Sequence, residues 1–323
     1  MQSMNGSTHR RRQGKVAQFA RVLQRIEKSR GEDAAEGLEG LSGKKIISSI
    51  EHATELFCPT GSVYVEIGVF RGLTLLSNAA KNRRVPCYGI DNFSLFDEAG
   101  TNLGIVREHI KRLATRNAAI INRDFESALD ALEAHIGKNK VGVLFVDGPH
   151  DYRSQLVALL KIVPYLAREC AIIIDDANYP HVRQATNDFL RTHPDFALLS
   201  EAYTRVHPAN MDTDEKKRAM EGWWNGAHII VRDPRKLVRR KFARERDKNI
   251  YFASHDIFRH ELAESAFDVL QHAQRLGDCS PSEEAGVVRD LKKCITVHRK
   301  KYPGLFRHQN TESDDLPAFK LYQ

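Results

Sequence analysis

The sequence predicts an α/β fold: a doubly wound, mainly parallel sheet of seven strands, flanked by N-terminal helices and a C-terminal helical appendage. Two features carry that expectation. From Ser62 onward, short runs such as VGVLFV and AIII alternate with longer amphipathic stretches, and these runs are apolar throughout instead of at every second position. Strands of that kind are buried on both faces, as in parallel sheets covered by helices. The runs also end in Glu66, Asp91, Asp147 and Asp175, and open parallel sheets bind their ligands beyond the carboxyl ends of the strands.

Before the sheet, Lys15 to Lys28 places Val16, Phe19, Ala20, Leu23 and Ile26 at helical spacing, which predicts an amphipathic helix with its basic residues on the other side. Ser29 to Gly43 reads as a linker. Ile46, Ile47, Ile50, Ala53, Leu56 and Phe57 mark a second helix, stopped by Pro59 and Gly61. Strands are expected at Val63 to Ile67, Pro86 to Ile90, Ala118 to Ile121, Val141 to Val146 and Ala171 to Ile174. Helices are expected between them, near Leu73 to Lys81, Asn102 to Ala114, Phe125 to Ile136 and Tyr152 to Leu166. A helix near His181 to Leu190 and a last strand pair, Phe196 to Val206 and Ala227 to Val231, complete the sheet, with Pro208 to Gly222 expected as a mobile flap. After Pro234, apolar spacing from Ile257 through Leu270 and from Val287 to Val297 predicts two more helices and then a loose tail from about His308. The expected organisation is a basic helix and linker over 1–43, the α/β domain over 44–234 and a helical appendage over 235–323.

A chain of 323 residues is long enough to bury a core of this kind. No apolar run approaches a membrane span, and Arg10 to Arg12 lead into QGKVAQFARVLQ, not into the apolar segment of a secretory signal. A cytoplasmic location is expected by default. Five scattered cysteines without a CxxC pair point to packed thiols and argue against a disulfide framework or a zinc site. Much of the excess behind the net charge of +7 sits in Arg10 to Lys28 and Lys236 to Arg246, away from the strand ends, and reads as solvated helix faces.

The first strand-to-helix turn runs from Glu66 and Gly68 through Val69, Phe70 and Arg71 to Gly72, with glycines where backbone must pass close to a ligand. The second strand ends at Asp91, about the distance downstream at which an acidic side chain meets ribose hydroxyls in dinucleotide folds. The pattern is not GxGxxG, and a dinucleotide needs a helix N-terminus against its pyrophosphate. ExGxxxG with a second-strand Asp resembles instead the class I, Rossmann-like methyltransferases, over roughly Lys44 to Val231. The resemblance implies S-adenosylmethionine as cofactor, with Glu66, Gly68 and Gly72 at the turn beside its methionine part, Asp91 on the ribose hydroxyls and Asp124 near the adenine. An ordinary turn for the glycines and a helix cap for Asp124 are the plainer alternatives.

Asp147, in the DGPHDY segment after the fourth strand, and the pair Asp175 and Asp176 after the fifth are expected at one edge of the sheet. Three carboxylates together repel unless they are protonated or hold a cation. Oxygen ligands suit a hard ion, Mg²⁺ first and Mn²⁺ after it. The two motifs resemble the metal-dependent O-methyltransferases, nearest the branch acting on macrolide sugars and the related cephalosporin hydroxylase group. Asp176 stands where catechol-type enzymes usually carry Asn. That resemblance implies Asp147, Asp175 and Asp176 as metal ligands, and His150 as general base for a hydroxyl whose pKa the metal lowers. Trp223 and Trp224 are candidates for an aromatic wall or for core packing.

The leading expectation is metal-dependent transfer of the methyl of S-adenosylmethionine to a hydroxyl of a small molecule, sugar or glycosylated metabolite. A nucleic-acid substrate is the second reading; the basic terminal segments favour it, and DGPHDY, which is not the NPPY-like loop of amine methyltransferases, opposes it. An inactive methyltransferase-like interaction module is the third, opposed by the cost of holding three carboxylates together. Homo-oligomerisation through the appendages fits the sequence without a specific signal for it.

Overall fold

A computed structural model of the protein describes residues 14–29, 31, 33–97, 99–243, 261–301 and 317–322. Arg10 to Arg12, the ends of the expected segments at 244–246 and 257–260, and the expected tail over 308–316 lie outside the described residues.

Strands β1 (Ser62–Ile67), β2 (Cys87–Ile90), β3 (Ala118–Ile121), β4 (Lys140–Val146), β5 (Leu166–Asp175), β6 (Phe196–Ala202), β7 (Ala227–Arg232) and β8 (Phe319–Leu321) form one sheet. Their order is β3-β2-β1-β4-β5-β7-β6-β8. The first five run parallel, β7 lies antiparallel between β5 and β6, and β8 pairs antiparallel with β6. The chain winds outward from β1 to β3 and returns to β4 on the other side. The winding therefore reverses between β1 and β4, the position at which open α/β sheets bind ligands. Ile67 is level with both Ile90 and Val146, and Val146 with Ile174, so the residues that follow these strands emerge side by side.

The helices are α1 (Lys15–Lys28), α2 (Lys44–Phe57), α3 (Leu73–Lys81), α4 (Asn102–Arg112), α5 (Phe125–Asp130), α6 (Glu133–Ile136), α7 (Tyr152–Ile162), α8 (Pro180–Thr192) and α9 (Thr213–Glu221), followed by a hairpin of Glu261–Asp278 and Pro281–Lys301. The elements depart from the sequence reading at four places. The stretch expected as one helix over Phe125 to Ile136 is broken into α5 and α6. Helix α7 gives way to a 3₁₀ turn around Pro164, whose ring and missing N–H cannot continue an α-helix. The expected flap contains α9, closed at its start by a reciprocal capping box between Asp212 and Glu215. The expected loose tail contains β8, which makes the sheet one of eight strands among the described residues.

Helix α1 is joined to the core through its apolar stripe. Val16, Phe19, Ala20, Leu23 and Ile26 are all buried, and Phe19 meets Phe57 of α2 edge-on with ring centroids 5.6 Å apart. Among the described residues, no helix is long and apolar enough to cross a membrane. Because Phe19 is fully buried, Phe19→Ala is expected to cost about 3 to 5 kcal/mol of unfolding free energy, read by urea denaturation. An α1 that merely decorates the surface would lose less than about 1 kcal/mol.

Candidate active site

At the reversal point, the turn after β1 lies directly against the end of β4. Gly68 has φ +89°, and a Cβ placed on it would stand 1.9 Å from the carbonyl oxygen of Asp147. Only glycine combines this conformation with this approach. Gly72, at φ +88°, starts α3 in the left-handed region. Glu66 does not face a cavity. Its side chain is fully buried, one carboxylate oxygen accepting from the Tyr64 hydroxyl and the other from the Thr74 hydroxyl at 2.8 Å. Burial pushes its pKa up to about 8 against the pull of those two hydrogen bonds, with Asp147 and Asp91 adding to the rise.

Asp91 is tied to the same turn. Its Oδ2 accepts from the backbone N–H groups of Val69 and Phe70 at 2.8 and 2.9 Å, and its Oδ1 from that of Phe93 at 2.7 Å. A carboxylate offers about four acceptor positions, so one remains, on Oδ1. Phe70, Phe93 and Phe96 all have φ near +50°, an uncommon state for bulky residues. Phe96 meets Phe70 edge-on at 6.4 Å, and both Leu95 and Phe96 are exposed. Asp124 is exposed and caps α5, accepting from the N–H groups of Glu126 and Ser127 at 3.0 and 3.3 Å. The structure thus joins Gly68, Gly72 and Asp91 in one turn, seals Glu66 behind it and gives Asp124 the cap.

Beyond β4 and β5, Asp147, His150 and Asp176 each offer a ligand atom within 4.8 Å of the others. The loop that carries His150 is held by Gln155, whose side chain donates to the Pro149 carbonyl at 2.9 Å, and by Asp151, which caps α7. Nε2 of His150 lies 2.6 Å from Oδ2 of Asp176 and 3.9 Å from Oδ1 of Asp147. Nε2 is buried between these two carboxylates. The imidazole is stacked on Tyr179, with ring centroids 5.3 Å apart.

Asp175 stands apart from this trio. It is buried, accepting from the Ser42 hydroxyl at 3.4 Å and from the Asp176 N–H at 2.8 Å. Strand β5 ends at Asp175, and the backbone leaves the extended region at Asp176. Asp176, at φ +58°, receives a short hydrogen bond from the Asn225 side chain. Asp147, His150 and Asp176, without Asp175, are the side chains that converge.

Charge in the cluster is distributed by burial first and partners second. Burial opposes a charge on His150, but Asp176 and Asp147 outweigh it and raise its pKa to about 10. Burial raises Asp147 and holds Asp175 well above the usual carboxylate range, while His150 and Asn225 overcome it at Asp176 and pull that group down. The cluster therefore contains an ion pair between His150 and Asp176, beside an Asp175 whose pKa burial raises. The recesses between α1 and α2 and within the C-terminal hairpin contain none of these residues.

Trp223 and Trp224 are core residues, and Asn178 is fully buried, bonded to Thr204. Asn225, Tyr179 and Ser42 escaped the sequence reading because nothing in their own segments marks them. Only the folding of the turn after α9, the start of α8 and the segment before α2 against the strand ends brings them in.

The raised pKa of Glu66 has a sign that can be measured. Stability from this group is complete below the ordinary glutamate range and is lost as pH rises through about 8. Glu66→Gln removes the titration and keeps the shape. Its melting temperature relative to wild type is therefore expected to climb between about pH 5 and pH 8, followed by scanning calorimetry. A constant difference across that range means that Glu66 is not buried as described.

Residues 65–177 match the family model of a methyltransferase domain. Among solved structures, the chain is similar to the TDP-rhamnose 3′-O-methyltransferase of calicheamicin biosynthesis, at 15% identity over 54% of this chain and 85% of that one, with a TM-score of 0.40. It is similar to the O-methyltransferase from Bacillus cereus in complex with SAH, at 12% identity over 68% and 90% of the two chains and a TM-score of 0.41. It is also similar to the O-methyltransferase TomG from Streptomyces achromogenes, involved in tomaymycin synthesis, at 13% identity over 68% and 90% and a TM-score of 0.41. Sequence comparison with curated proteins gives no match. The acceptors of these enzymes are their own, and none is carried over. The stretch that matches the methyltransferase domain, residues 65–177, contains the glycine turn, the reversal between β1 and β4 and the strand ends of the doubly wound sheet.

Proposed function

We propose that the protein is a metal-dependent O-methyltransferase acting on a hydroxyl of a small molecule, a sugar or a glycosylated metabolite. The observation that carries this reading is the convergence of Asp147, His150 and Asp176 beside the turn that Asp91 holds. The donor set fits a divalent cation: the carboxylates of Asp147 and Asp176 converge beside the buried Nε2 of His150. Asp147 and Asp176 are the expected oxygen ligands. Asp175, bonded to Ser42 and to the Asp176 N–H, supports the turn that presents Asp176. A bound Mg²⁺ or Mn²⁺ supplies Lewis acidity, lowering the pKa of a hydroxyl beside it.

The remaining chemistry belongs to the chain. With His150 protonated by its two carboxylates, the apo site has no base. Once Asp147 and Asp176 are committed to a cation, His150 loses the partners that keep it charged, and burial then favours the neutral imidazole. A neutral Nε2 accepts a hydroxyl proton, and stacking on Tyr179 fixes the plane in which it does so. Gly68 and Gly72 let backbone approach the donor, and the last acceptor position of Asp91 is available to a ribose hydroxyl. Holding donor and acceptor together is the larger part of the expected acceleration.

Asp147→Ala and Asp176→Asn are each expected to lower kcat/KM by about 100-fold or more, and chelation to abolish transfer until Mg²⁺ or Mn²⁺ is returned, measured as S-adenosylhomocysteine released with a panel of hydroxylated acceptors. If Asp147→Ala and chelation both leave transfer unchanged, the metal reading is wrong. Because Asp147 and His150 must give up protons to a cation, Mn²⁺ affinity is expected to rise from about pH 6 to pH 9. Titration of Mn²⁺ by paramagnetic resonance reads it, and an affinity that falls over that range contradicts the assignment.

A further inference from the structure

Asp176 is held by Asn225, and Asn225 sits in a five-residue turn, Gly222 to Gly226, that joins α9 to β7. The turn is tight. Trp224 has φ +51° and Gly226 φ +85°, and a Cβ on Gly226 would stand 2.6 Å from Oδ1 of Asn178 and 2.8 Å from the carbonyl oxygen of Ala202. Its far side is laced to the end of β5, for Ala177 and Asn178 donate to the carbonyls of Gly226 and Asn225 at 3.2 and 3.1 Å. A displacement of the turn therefore moves the Asn225 amide and the backbone that carries Asp176 together.

Trp223 fixes this turn from outside, and two elements remote in sequence hold Trp223. Its indole N–H donates to Glu27 of α1 at 2.8 Å, and Glu27 is itself paired with Lys45 at 2.9 Å. Its ring face is covered by Phe319 of β8, stacked at 5.8 Å with 14° between the planes. Strand β8 is anchored in turn. Ala202 is level with Phe319 and Ser200 with Leu321, the Tyr322 N–H donates to the Leu199 carbonyl at 2.8 Å, and the Tyr322 hydroxyl donates to Glu201 at 2.6 Å.

We infer that Phe319 and Trp223 are positioning residues for the cation site: β8 sets the orientation of Asp176 through the Trp223 turn and Asn225. This rests on the metal reading proposed above. Groups that orient a ligand carboxylate contribute to metal affinity although they never touch the ion.

The test is a titration of the full chain with Mn²⁺ alone, followed by paramagnetic resonance, beside calorimetric titration with S-adenosylhomocysteine. Phe319→Ala is expected to weaken Mn²⁺ binding by about tenfold, as is Asn225→Ala. Phe319→Tyr keeps an aromatic face and is expected to restore wild-type Mn²⁺ affinity. Affinity for S-adenosylhomocysteine should be the same in wild type and Phe319→Ala. Wild-type Mn²⁺ affinity in Phe319→Ala, with loss in Asn225→Ala, overturns the inference and leaves the metal reading intact. Loss of both ligands in Phe319→Ala also overturns it, since the variant then acts through general destabilisation. A wild-type chain that takes up no Mn²⁺ overturns the metal reading and the inference with it.

Discussion

The backbones of Gly68 and Asp147 pass so close that no side chain fits between them. That approach is where the sheet reverses its winding, and it joins two segments that would otherwise be separate loops. On one side it places the turn whose amides Asp91 gathers; on the other it launches the DGPHDY segment toward the end of β5. Level register across β2, β1, β4 and β5 delivers the neighbouring strand ends to the same edge. A residue larger than glycine at 68 would push the first of these loops off the second, and the distances within both would change together.

The acidic cluster shows how burial and partnership compete inside such an edge. Three carboxylates and an imidazole share a small volume, and full ionisation of all three acids would be costly. Burial raises the pKa of Asp175, and the carboxylates raise that of His150, so that the sharpest charge pair, His150 and Asp176, is neutral overall. Burial is the first influence on every member, and the outcome differs only with what each side chain meets. Asp176 has His150 and Asn225; Asp175 has a hydroxyl and one amide. Two adjacent residues thus have pKa values shifted in opposite directions.

Much of this was legible in the sequence, because strands buried on both faces announce themselves as unbroken apolar runs. The five parallel strands and the acidic residues beyond them follow from that signal, as does α1 from the spacing of Val16, Phe19, Leu23 and Ile26. Other parts had no local signature. Strand β8 is three residues long, too short for a period, and its pairing depends on the free edge of β6. The inward turn of Glu66 depends on Tyr64 and Thr74 offering hydroxyls on that side. Asn225 is an ordinary turn residue until β7 folds back beside β5. That Asp175 and Asp176 meet different partners follows from the left-handed backbone of Asp176 just past the end of β5, which no residue type announces.

The loop beyond Asp91 has a further effect on the surface. Three amide hydrogen bonds to one carboxylate fix the start of a path in which Leu95 and Phe96 stand out from the protein, 62% and 77% exposed, a few residues beyond Asp91. Water must hydrate that apolar lip for as long as nothing covers it. Each square ångström shielded by an arriving body returns about 25 cal/mol, whatever polar contacts the same body makes deeper in. An apolar lip of this kind contributes affinity without chemical selectivity to whatever covers it.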